Sequence, residues 1–377
     1  MRITYLILTF VCCIIAKAET FPYRSIASFN ISPASESYCM MFDSEGMMWV
    51  GTNSGLKSYD GYTVKSYKSN ALSPGILPNN DIRSMAEDHD QNLWLGTRNG
   101  LVKINRKTGV FKTYFLPSED QRIIYHLFVS RDGTLWVGTD GGLSYFNPEN
   151  ESFYTYTSRN AWLINENGKK QRFSVKCVAE DKNGDLLIGT WSSGLMRLKR
   201  GSNVFRSYPK LNDRNSAYSL FFDKNHHLWV GTWGYGVLCI SNPDNLKNPQ
   251  YHQYPYATNN FDIFYKFAED PITNTLWACT REGICYLDED QPQAGWSKYT
   301  QIGNNRLIYC NDISTDGAGN IWLCTQNDGV LQITTPPHLS SSSGIWATCR
   351  MPLPSTMSMR FSLPTVNGSG SDSIRTE

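Results

Sequence analysis

The sequence predicts an all-β protein: a seven-bladed β-propeller with four-stranded antiparallel blades, in which an N-terminal strand closes the last blade. Two observations carry this prediction. A motif of the form Leu-Trp-Val-Gly-Thr returns seven times at intervals of 42 to 51 residues, a period typical of propeller blades. The chain is also rich in strand-forming aromatic residues, with 21 Tyr, 17 Phe and 11 Trp. The fourth position of the motif falls at residues 51, 96, 138, 189, 231, 279 and 324.

Each unit contains four strand-like segments, and the second unit shows them clearly. Arg83 to Glu87 leads into an acidic turn, and Leu93 to Thr97 forms the second strand. After a turn at Asn99-Gly100, the segments Leu101 to Ile104 and Val110 to Phe115 complete the set. Four strands joined by tight turns make one blade, and seven such units fill residues 37 to 333.

The fourth motif position explains how blades fit around an axis. Inner strands crowd near the axis, so a Gly there lets neighbouring sheets approach, while the Trp of the motif fills the wider space outward. Cys279 and Cys324 replace this Gly in the last two units, which predicts locally looser blades. We also expect both thiols to be buried in second strands and not bridged.

The ends of the repeat predict how the ring closes. Gly329 to Thr334 supplies a third strand in the seventh unit, but Pro336-Pro337 follows where a fourth strand is due. Ser25 to Ile31 is a spare strand-like segment ahead of the first unit. We expect it to complete the last blade, because this pairing removes an open sheet edge.

The first and last residues predict compartment and domain limits. Residues 1–18 have the pattern of a cleaved signal peptide, with an apolar run from Leu6 to Ile15 and Ala16-Lys17-Ala18 as the cleavage site. A lipoprotein signal through Cys12 or Cys13 is the alternative. We expect residues 19–335 to form a periplasmic or otherwise extracytoplasmic domain without a membrane span. Residues 336–377 are rich in Ser, Thr and Pro and are expected to be a disordered or truncated tail.

Charge and cysteine content limit the partners. The chain has 35 Lys and Arg against 34 Asp and Glu without blocks of one sign, which argues against nucleic acid and anionic membranes. The cysteines after the signal peptide form no CxxC pair or metal-ligand spacing, and most lie in strand-like runs, which favours buried free thiols. We predict neither a metal nor a cofactor.

Two stretches of the sequence resemble a known repeat. Glu87 to Leu101 and Ser130 to Leu143 share an acidic turn, a Leu-Trp-x-Gly-Thr core and a turn that ends in Gly-Leu. This combination closely resembles the two-component regulator propeller repeat, and the resemblance covers residues 24 to 335. It implies the periplasmic sensor of a hybrid two-component system of gut Bacteroidetes that recognises plant or host glycans.

The same resemblance implies further modules, which we do not expect within this chain. Such sensors usually have a second propeller, a small β-sandwich, a membrane helix, a histidine kinase and a DNA-binding regulator. We therefore expect a ligand-sensing domain without enzyme activity, whose ligand is an oligosaccharide. A truncated gene and a frameshifted gene both remain open as its origin.

The Thr-x-x-Gly turns that follow the second strands predict the ligand site. They are expected on one face of the ring, together with the loops between blades. Aromatic rings stack on the apolar faces of sugars, while charged and amide groups bond their hydroxyls. The predicted aromatic floor, mostly on blades four and five, consists of Trp162, Trp191, Trp233 and Tyr235. The predicted polar contacts are Arg98, Asp140, Arg281 and Glu282.

Other interpretations of these residues stay open. The aromatic side chains could plug the axial channel, or meet a second propeller or a homodimer partner. A propeller lyase or hydrolase needs a His and an acid that meet at one end of the axis, whereas the six histidines are spread over turns, strands and tail. A pure protein-interaction propeller predicts a broad apolar patch. The acidic turns, such as Asp43-x-x-Gly46, resemble pieces of calcium loops but more often bond their own backbone.

Overall fold

A computed structural model gives the structure of the protein. It describes residues 25–29, 35–70, 75–156, 162–164, 174–191, 193–208, 216–245, 248–254, 263–288, 295–302, 305–307, 309–316 and 318–334. The predicted signal peptide, the predicted tail, Cys349 and His338 lie outside these residues.

Seven four-stranded antiparallel sheets form the ring, and each runs from an inner strand at the axis to an outer strand at the rim. Blade one contains β2 (Ser37–Phe42), β3 (Met48–Thr52), β4 (Gly55–Tyr59) and β5 (Val64–Tyr67). Blade two contains β6 (Ile82–Glu87), β7 (Leu93–Thr97), β8 (Gly100–Asn105) and β9 (Val110–Tyr114). Blade three contains β10 (Ile124–Val129), β11 (Leu135–Thr139), β12 (Gly142–Asn147) and β13 (Ser152–Tyr156).

The other four blades repeat this order. Blade four contains β15 (Val175–Glu180), β16 (Leu186–Thr190), β17 (Leu195–Leu198) and β18 (Val204–Ser207), with β14 (Trp162–Ile164) added outside β18. Blade five contains β19 (Ala217–Phe222), β20 (Leu228–Thr232), β21 (Val237–Ile240) and β22 (Tyr251–Tyr254). Blade six contains β23 (Phe264–Glu269), β24 (Thr275–Thr280), β25 (Gly283–Asp288) and β26 (Ser297–Tyr299). Blade seven contains β29 (Cys310–Thr315), β30 (Ile321–Thr325), β31 (Val330–Thr334) and β1 (Ser25–Phe29).

Little structure lies outside the blades. The strands β27 (Gln301–Ile302) and β28 (Asn305–Arg306) form a short hairpin ahead of blade seven. Within the described ranges, the only helical segment is a single 3₁₀ turn at Glu119–Gln121, between blades two and three. The predicted fold class, an all-β seven-bladed propeller, is confirmed.

The ring closes as the sequence predicts. β1 pairs antiparallel with β31, and the register runs from Ser25 opposite Thr334 to Phe29 opposite Val330. The first described strand therefore completes the sheet whose other three strands come last. This pairing covers the outer edge of β31 and joins the two ends of the repeat.

Close packing at the axis accounts for the Gly of the motif. A Cβ at Gly96 would come within 2.5 Å of Ile124 Cγ2, and one at Gly231 within 2.2 Å of Ser219 Oγ and 2.8 Å of Phe264 Cβ. Ile124 and Phe264 begin the inner strand of the following blade, so each Gly permits contact between neighbouring sheets.

The two Cys replacements are accommodated inside the core of the ring. Cys279 and Cys324 are both fully buried. At the first inner-strand position of the following blade stand Cys310 and Ser37, where the other blades carry Ile82, Ile124, Val175, Ala217 and Phe264. Cys310 and Ser37 are smaller than Ile82, Ile124, Val175 and Phe264, and this difference makes room for the extra Sγ atom. Both thiols lie in second strands and are free, as predicted.

The acidic turns between first and second strands use their carboxylates internally. Asp43 accepts hydrogen bonds from the backbone N–H groups of Glu45 and Met47, at 3.0 and 2.9 Å, and from the Trp49 indole N–H at 2.7 Å. Asp88, Asp223 and Asp316 each bond the motif Trp in the same way. The expectation that these residues make turns by bonding their own backbone is confirmed.

Removal of residues 19–35 tests the ring closure. We expect this deletion to lower Tm by roughly 5 °C or more, since an unpaired β31 edge costs several kcal/mol and each 1 kcal/mol moves Tm of a large domain by about 2–4 °C. Removal of residues 340–377 is the control and should leave Tm nearly unchanged. Equal effects of the two deletions in differential scanning calorimetry would contradict the assigned role of β1.

The packing at the axis predicts that an Ala substitution at the fourth motif position has different effects on stability in neighbouring blades. Gly231→Ala should cost about 1–3 kcal/mol of unfolding free energy, because the new Cβ overlaps Ser219 and Phe264. Cys279→Ala in the next blade removes only one buried sulfur and should cost about 1 kcal/mol or less. Urea unfolding measures both, and a Gly231→Ala protein as stable as the Cys279→Ala protein would refute the argument.

Candidate functional site

The Thr-x-x-Gly turns and the starts of the inner strands lie on one face of the ring, here named the upper face. Ser37 at the start of β2 pairs with Thr52 at the end of β3, and the other blades repeat this register. The Thr hydroxyl then closes the turn, since Thr52 Oγ1 donates to the Gly55 carbonyl at 2.8 Å and accepts the Ser54 N–H at 3.0 Å. Equivalent bonds occur in all seven blades.

A β-bulge in every inner strand places one extra residue at the upper face. The register shifts between the first and third residues of each inner strand, which leaves the second residue unpaired. Bulges bend a strand and redirect a side chain. The seven residues at this position, the bulge ring, are Tyr38, Arg83, Tyr125, Lys176, Tyr218, Tyr265 and Asn311. All of them line an axial cavity of about 490 Å³.

Two predicted tryptophans extend the bulge ring into an aromatic platform. Trp191 and Trp233 follow the second strands of blades four and five, and their ring centroids are 4.8 Å apart in an edge-to-face arrangement. Trp233 contacts Tyr218 at 5.4 Å, and Tyr218 contacts Tyr265 at 5.8 Å. Trp191 remains 41% exposed, while Trp233 lines the cavity. The platform therefore descends from an exposed edge into the mouth of the cavity.

Asp140 lies next to this platform and organises its neighbours. Its carboxylate accepts hydrogen bonds from Tyr125 at 2.7 Å, Ser174 at 2.5 Å and Lys176 at 3.3 Å. The Lys176 ammonium lies 3.1 Å from the Tyr125 ring centroid and 5.7 Å from that of Trp191. Asp140 thus fixes a cation between two aromatic rings of the site.

The pKa values around Asp140 follow from these contacts. Burial acts to raise the pKa of Asp140, but hydrogen bonds from Ser174 and Tyr125 and the charge of Lys176 outweigh it and hold the pKa below its ordinary value. Burial lowers the pKa of Lys176, and Asp140 opposes that effect. Burial and the bond to Asp140 raise the pKa of Tyr125, so its hydroxyl remains a donor at neutral pH.

Arg83 and Tyr38 form the charged part of the ring on blades one and two. The Arg83 guanidinium lies 3.8 Å from the Tyr38 ring centroid and bonds Asp81 at 2.8 Å. Tyr38 donates to Glu36 at 2.9 Å. The predicted contact Arg98 lies at the border of this group, 3.9 Å from Asp81, with its side chain 62% exposed.

The remaining predicted residues divide between the site and its surroundings. Arg281 and Glu282 pair at 3.6 Å in the turn between β24 and β25 of blade six, on the upper face. Tyr235 is 44% exposed, and within the described part of the chain its ring contacts no other aromatic ring. It borders the platform without joining it.

Trp162 lies elsewhere than expected. Its strand, β14, runs parallel to the outer strand β18, with Trp162 opposite Val204. Val204 begins β18 at the end away from the upper face, so the structure does not bring Trp162 to the two turns that carry Trp191 and Trp233. Its side chain lies outside the described residues.

The described histidines do not converge on one site. His126 lines the axial cavity, His252 lies on the outer strand β22, and the other three occupy turns between first and second strands: His89, His226 and His227. Burial, followed by the charge of Lys266, lowers the pKa of His126 to about 3, so it is neutral at physiological pH. No three His, Cys, Asp or Glu side chains of the described ranges are grouped to hold one metal ion.

Most of the bulge ring escaped the sequence argument, although a signal was present. Its residues stand at the second position of each inner strand, in equivalent places of all seven units, and an apolar residue precedes them in every unit except the first, where Ser37 does. In a regular strand, side chains alternate between the two faces of the sheet, and this alternation would place the second side chain on one of those faces. The bulge changes its direction, and only alignment of the first strands would have revealed a column with four Tyr, one Arg and one Lys.

The Asp140 network predicts a pH-dependent contribution to stability. Asp140→Asn should lower the unfolding free energy by about 1 kcal/mol at neutral pH, because it weakens three hydrogen bonds at a partly exposed site. Since the folded pKa is lowered, the wild-type advantage is complete above the ordinary value of 3.8 and is lost as pH falls through the folded pKa. Urea unfolding between pH 7 and pH 3 checks this.

The matched control for that measurement is Glu282→Gln. Glu282 is 44% exposed and has its ion pair at 3.6 Å, so its substitution should change stability by only a few tenths of a kcal/mol. An Asp140→Asn effect that persists unchanged at pH 3, or one no larger than that of Glu282→Gln, would contradict the assigned network.

Comparison with known proteins agrees with this architecture. Residues 32–54, 76–99, 118–141 and 211–234 match the family model of the two-component regulator propeller. Each matched segment covers the first two strands of a blade and the start of its Thr-x-x-Gly turn, in blades one, two, three and five. No curated protein sequence matches the chain.

Solved structures share the fold at low sequence identity. An extracellular domain assigned to a hybrid two-component system of B. thetaiotaomicron has a TM-score of 0.68 and 22% identity over 84% of this chain and 42% of that one. A second such domain, assigned to a one-component system of the same organism, has a TM-score of 0.66 and 22% identity over 83% of this chain and 40% of that one. The chain thus spans about two fifths of these domains.

Enzymes also share the architecture. The virginiamycin B lyase of Staphylococcus aureus has a TM-score of 0.63 and 14% identity, with 83% of this chain and 99% of that one covered. Fold alone therefore leaves the activity open.

Fold and site together define a seven-bladed propeller with a ligand-sized cavity on its axis. Four of its blades carry segments that match the two-component regulator propeller repeat. In the part of the chain that the structure describes, no helix has the length and apolar character of a membrane span.

Proposed function

We propose that this propeller is an extracytoplasmic ligand-sensing domain that binds an oligosaccharide at the upper mouth of its axial cavity and has no enzyme activity of its own. The observation that carries the proposal is the aromatic platform, in which the exposed Trp191 continues through Trp233 and Tyr218 into the bulge ring.

The chemistry of the mouth suits a sugar. Stacked and edge-on aromatic rings offer apolar surfaces to the C–H faces of a pyranose. Fixed ion pairs lie beside these rings: Lys176 pairs with Asp140, and Arg83 pairs with Asp81. Such pairs keep spare donor and acceptor positions for hydroxyl groups without presenting an unbalanced charge. A cavity of about 490 Å³ falls within the range of roughly 300–1,000 Å³ that is usual for small-molecule sites.

The sensor role and the compartment rest on other observations. The family of the repeats, the extracellular domains with the same fold and the signal-peptide pattern of residues 1–18 all support a ligand-sensing domain outside the cytoplasm. The domain would act as the sensor part of a hybrid two-component regulator, and other modules would complete signalling.

Protein interaction is the second candidate function. Tyr62, Val64, Val110, Phe115 and Tyr154 are exposed large hydrophobic residues on blades one to three. They are spread over three blades, whereas the aromatic residues at the upper face form a connected, concave group. This difference favours the small ligand over a second propeller or a homodimer partner at the platform.

Glycan binding by tryptophan variants tests the proposal. Isothermal titration calorimetry against neutral and uronic hexasaccharides should identify a ligand, and Trp191→Ala and Trp233→Ala should each weaken its binding about tenfold, since a stacked ring contributes about 1–2 kcal/mol. Trp191 is partly exposed, so its substitution should leave Tm nearly unchanged.

The matched control is Tyr62→Ala. Tyr62 is 93% exposed and lies in the turn between β4 and β5, which faces away from the platform. Its substitution should not change the affinity. If the propeller binds no glycan, or if the tryptophan variants bind as tightly as the Tyr62 variant, the platform is not a glycan site and the interaction function becomes the better explanation.

A further inference from the structure

A second ring of residues lies inside the cavity, one position further along each inner strand. We name this third-position set the inner tier. Most of its members bond the next blade. Cys39 donates to the Ile82 carbonyl at 3.8 Å, Ser219 donates to the Phe264 carbonyl at 2.8 Å, and Ser84 accepts the Leu127 N–H at 2.8 Å. Cys177 repeats the bond of Cys39 in blade four. The inner tier is therefore a belt of hydrogen bonds that joins neighbouring blades.

Blades six and seven contribute an ion pair to this belt. Lys266 contacts both carboxylate oxygens of Asp312, at 3.2 and 3.3 Å. Asp312 is also held by the backbone N–H groups of Met40 and Ile313, each at 2.8 Å, and its side chain is only 2% exposed. The Lys266 side chain is 49% exposed although it lies on an inner strand, because it opens into the cavity. Its ammonium has three donors, so at least one remains for another molecule.

His126 is the exception in the inner tier. It lines the cavity, yet its ring makes no hydrogen bond to any residue of the described ranges, and its Nδ1 is enclosed without a partner. The other ring nitrogen, Nε2, is not enclosed in this way and is the one left for a molecule inside the cavity. The imidazole therefore offers Nε2 to the cavity without a partner among the described residues, and this nitrogen can bond a ligand.

We propose that the inner tier is a subsite for the end of a neutral saccharide chain, in which hydroxyl groups of the terminal sugar bond Lys266 and His126. This inference rests on the proposed function. It adds the direction in which the ligand enters the cavity and the chemical class of the ligand. The chain would enter end-on, past the aromatic platform and through the bulge ring. Hydroxyl groups both donate and accept, so one can accept an N–H of Lys266 and another can bond Nε2 of His126.

The balance of charges among the cavity side chains favours a neutral chain end. Lys266 is neutralised by Asp312, and the two cations above it, Arg83 and Lys176, already pair with Asp81 and Asp140. Burial, and after it the charge of Lys266, lowers the pKa of His126, so the imidazole adds no cation to the cavity. A carboxylate or sulfate would need an unpaired cation, and none of the described cavity residues supplies one.

The experiment uses the full chain and a set of hexasaccharides from the gluco-, manno-, galacto-, xylo- and galacturono- series. His126→Phe keeps the ring and removes its nitrogens, and His126→Gln is the second variant if the first does not fold. We expect a neutral hexasaccharide to bind, the variants to weaken it about tenfold without a fall in Tm, and the imidazole ¹⁵N signals of His126 to shift on binding.

Ser219→Ala is the matched control, because its hydroxyl belongs to the same tier but already bonds Phe264. The Ser219→Ala variant should have a lower Tm, and its affinity for the hexasaccharide should stay within about twofold of the wild-type affinity. A hexasaccharide whose binding depends on Trp191 but not on His126 would overturn this subsite and leave the proposed function intact. Tighter binding of the galacturonic series would overturn the neutral chain end. Binding of no hexasaccharide would overturn both proposals.

Discussion

Neighbouring blades approach each other so closely at the axis that the second strand has no room for a Cβ in five of the seven blades. Gly51, Gly96, Gly138, Gly189 and Gly231 each face the start of the next inner strand. Where Cys279 and Cys324 take their place, the facing residue is small. This contact fixes the spacing of the inner strands, and the position of every axial side chain follows from it.

Large side chains near the axis therefore have little space between the blades, and the bulges direct them out of this crowded region. The extra residue in each inner strand turns the second side chain to the upper mouth, where Tyr, Arg and Lys fit. The third side chain stays inside and is mostly small or bonded to the next blade. One repeated irregularity thus separates a variable ring, suited to ligand contact, from a structural belt below it.

This separation explains what could be predicted from the sequence. The motif, its period and the spare strand at Ser25 to Phe29 determine the ring, because tight turns and Gly contacts are local features. Trp191 and Trp233 could be predicted as neighbours because they replace polar residues at equivalent turns of adjacent blades. The bulge ring was missed because a bulge breaks the alternation used to read a strand. Trp162 was misjudged because its parallel pairing with β18 is a tertiary contact that no local pattern encodes.

The contacts around Asp140 bear on how such a site would recognise a ligand. Asp140 already binds Tyr125, Ser174 and Lys176, and Lys176 is held against two aromatic rings. Side chains fixed in this way lose little further conformational freedom on binding, so less of the contact energy is spent on ordering them. Lys176 joins the charged and aromatic parts of the mouth. A ligand at this mouth would therefore be recognised by the arrangement of the whole ring rather than by the two tryptophans alone.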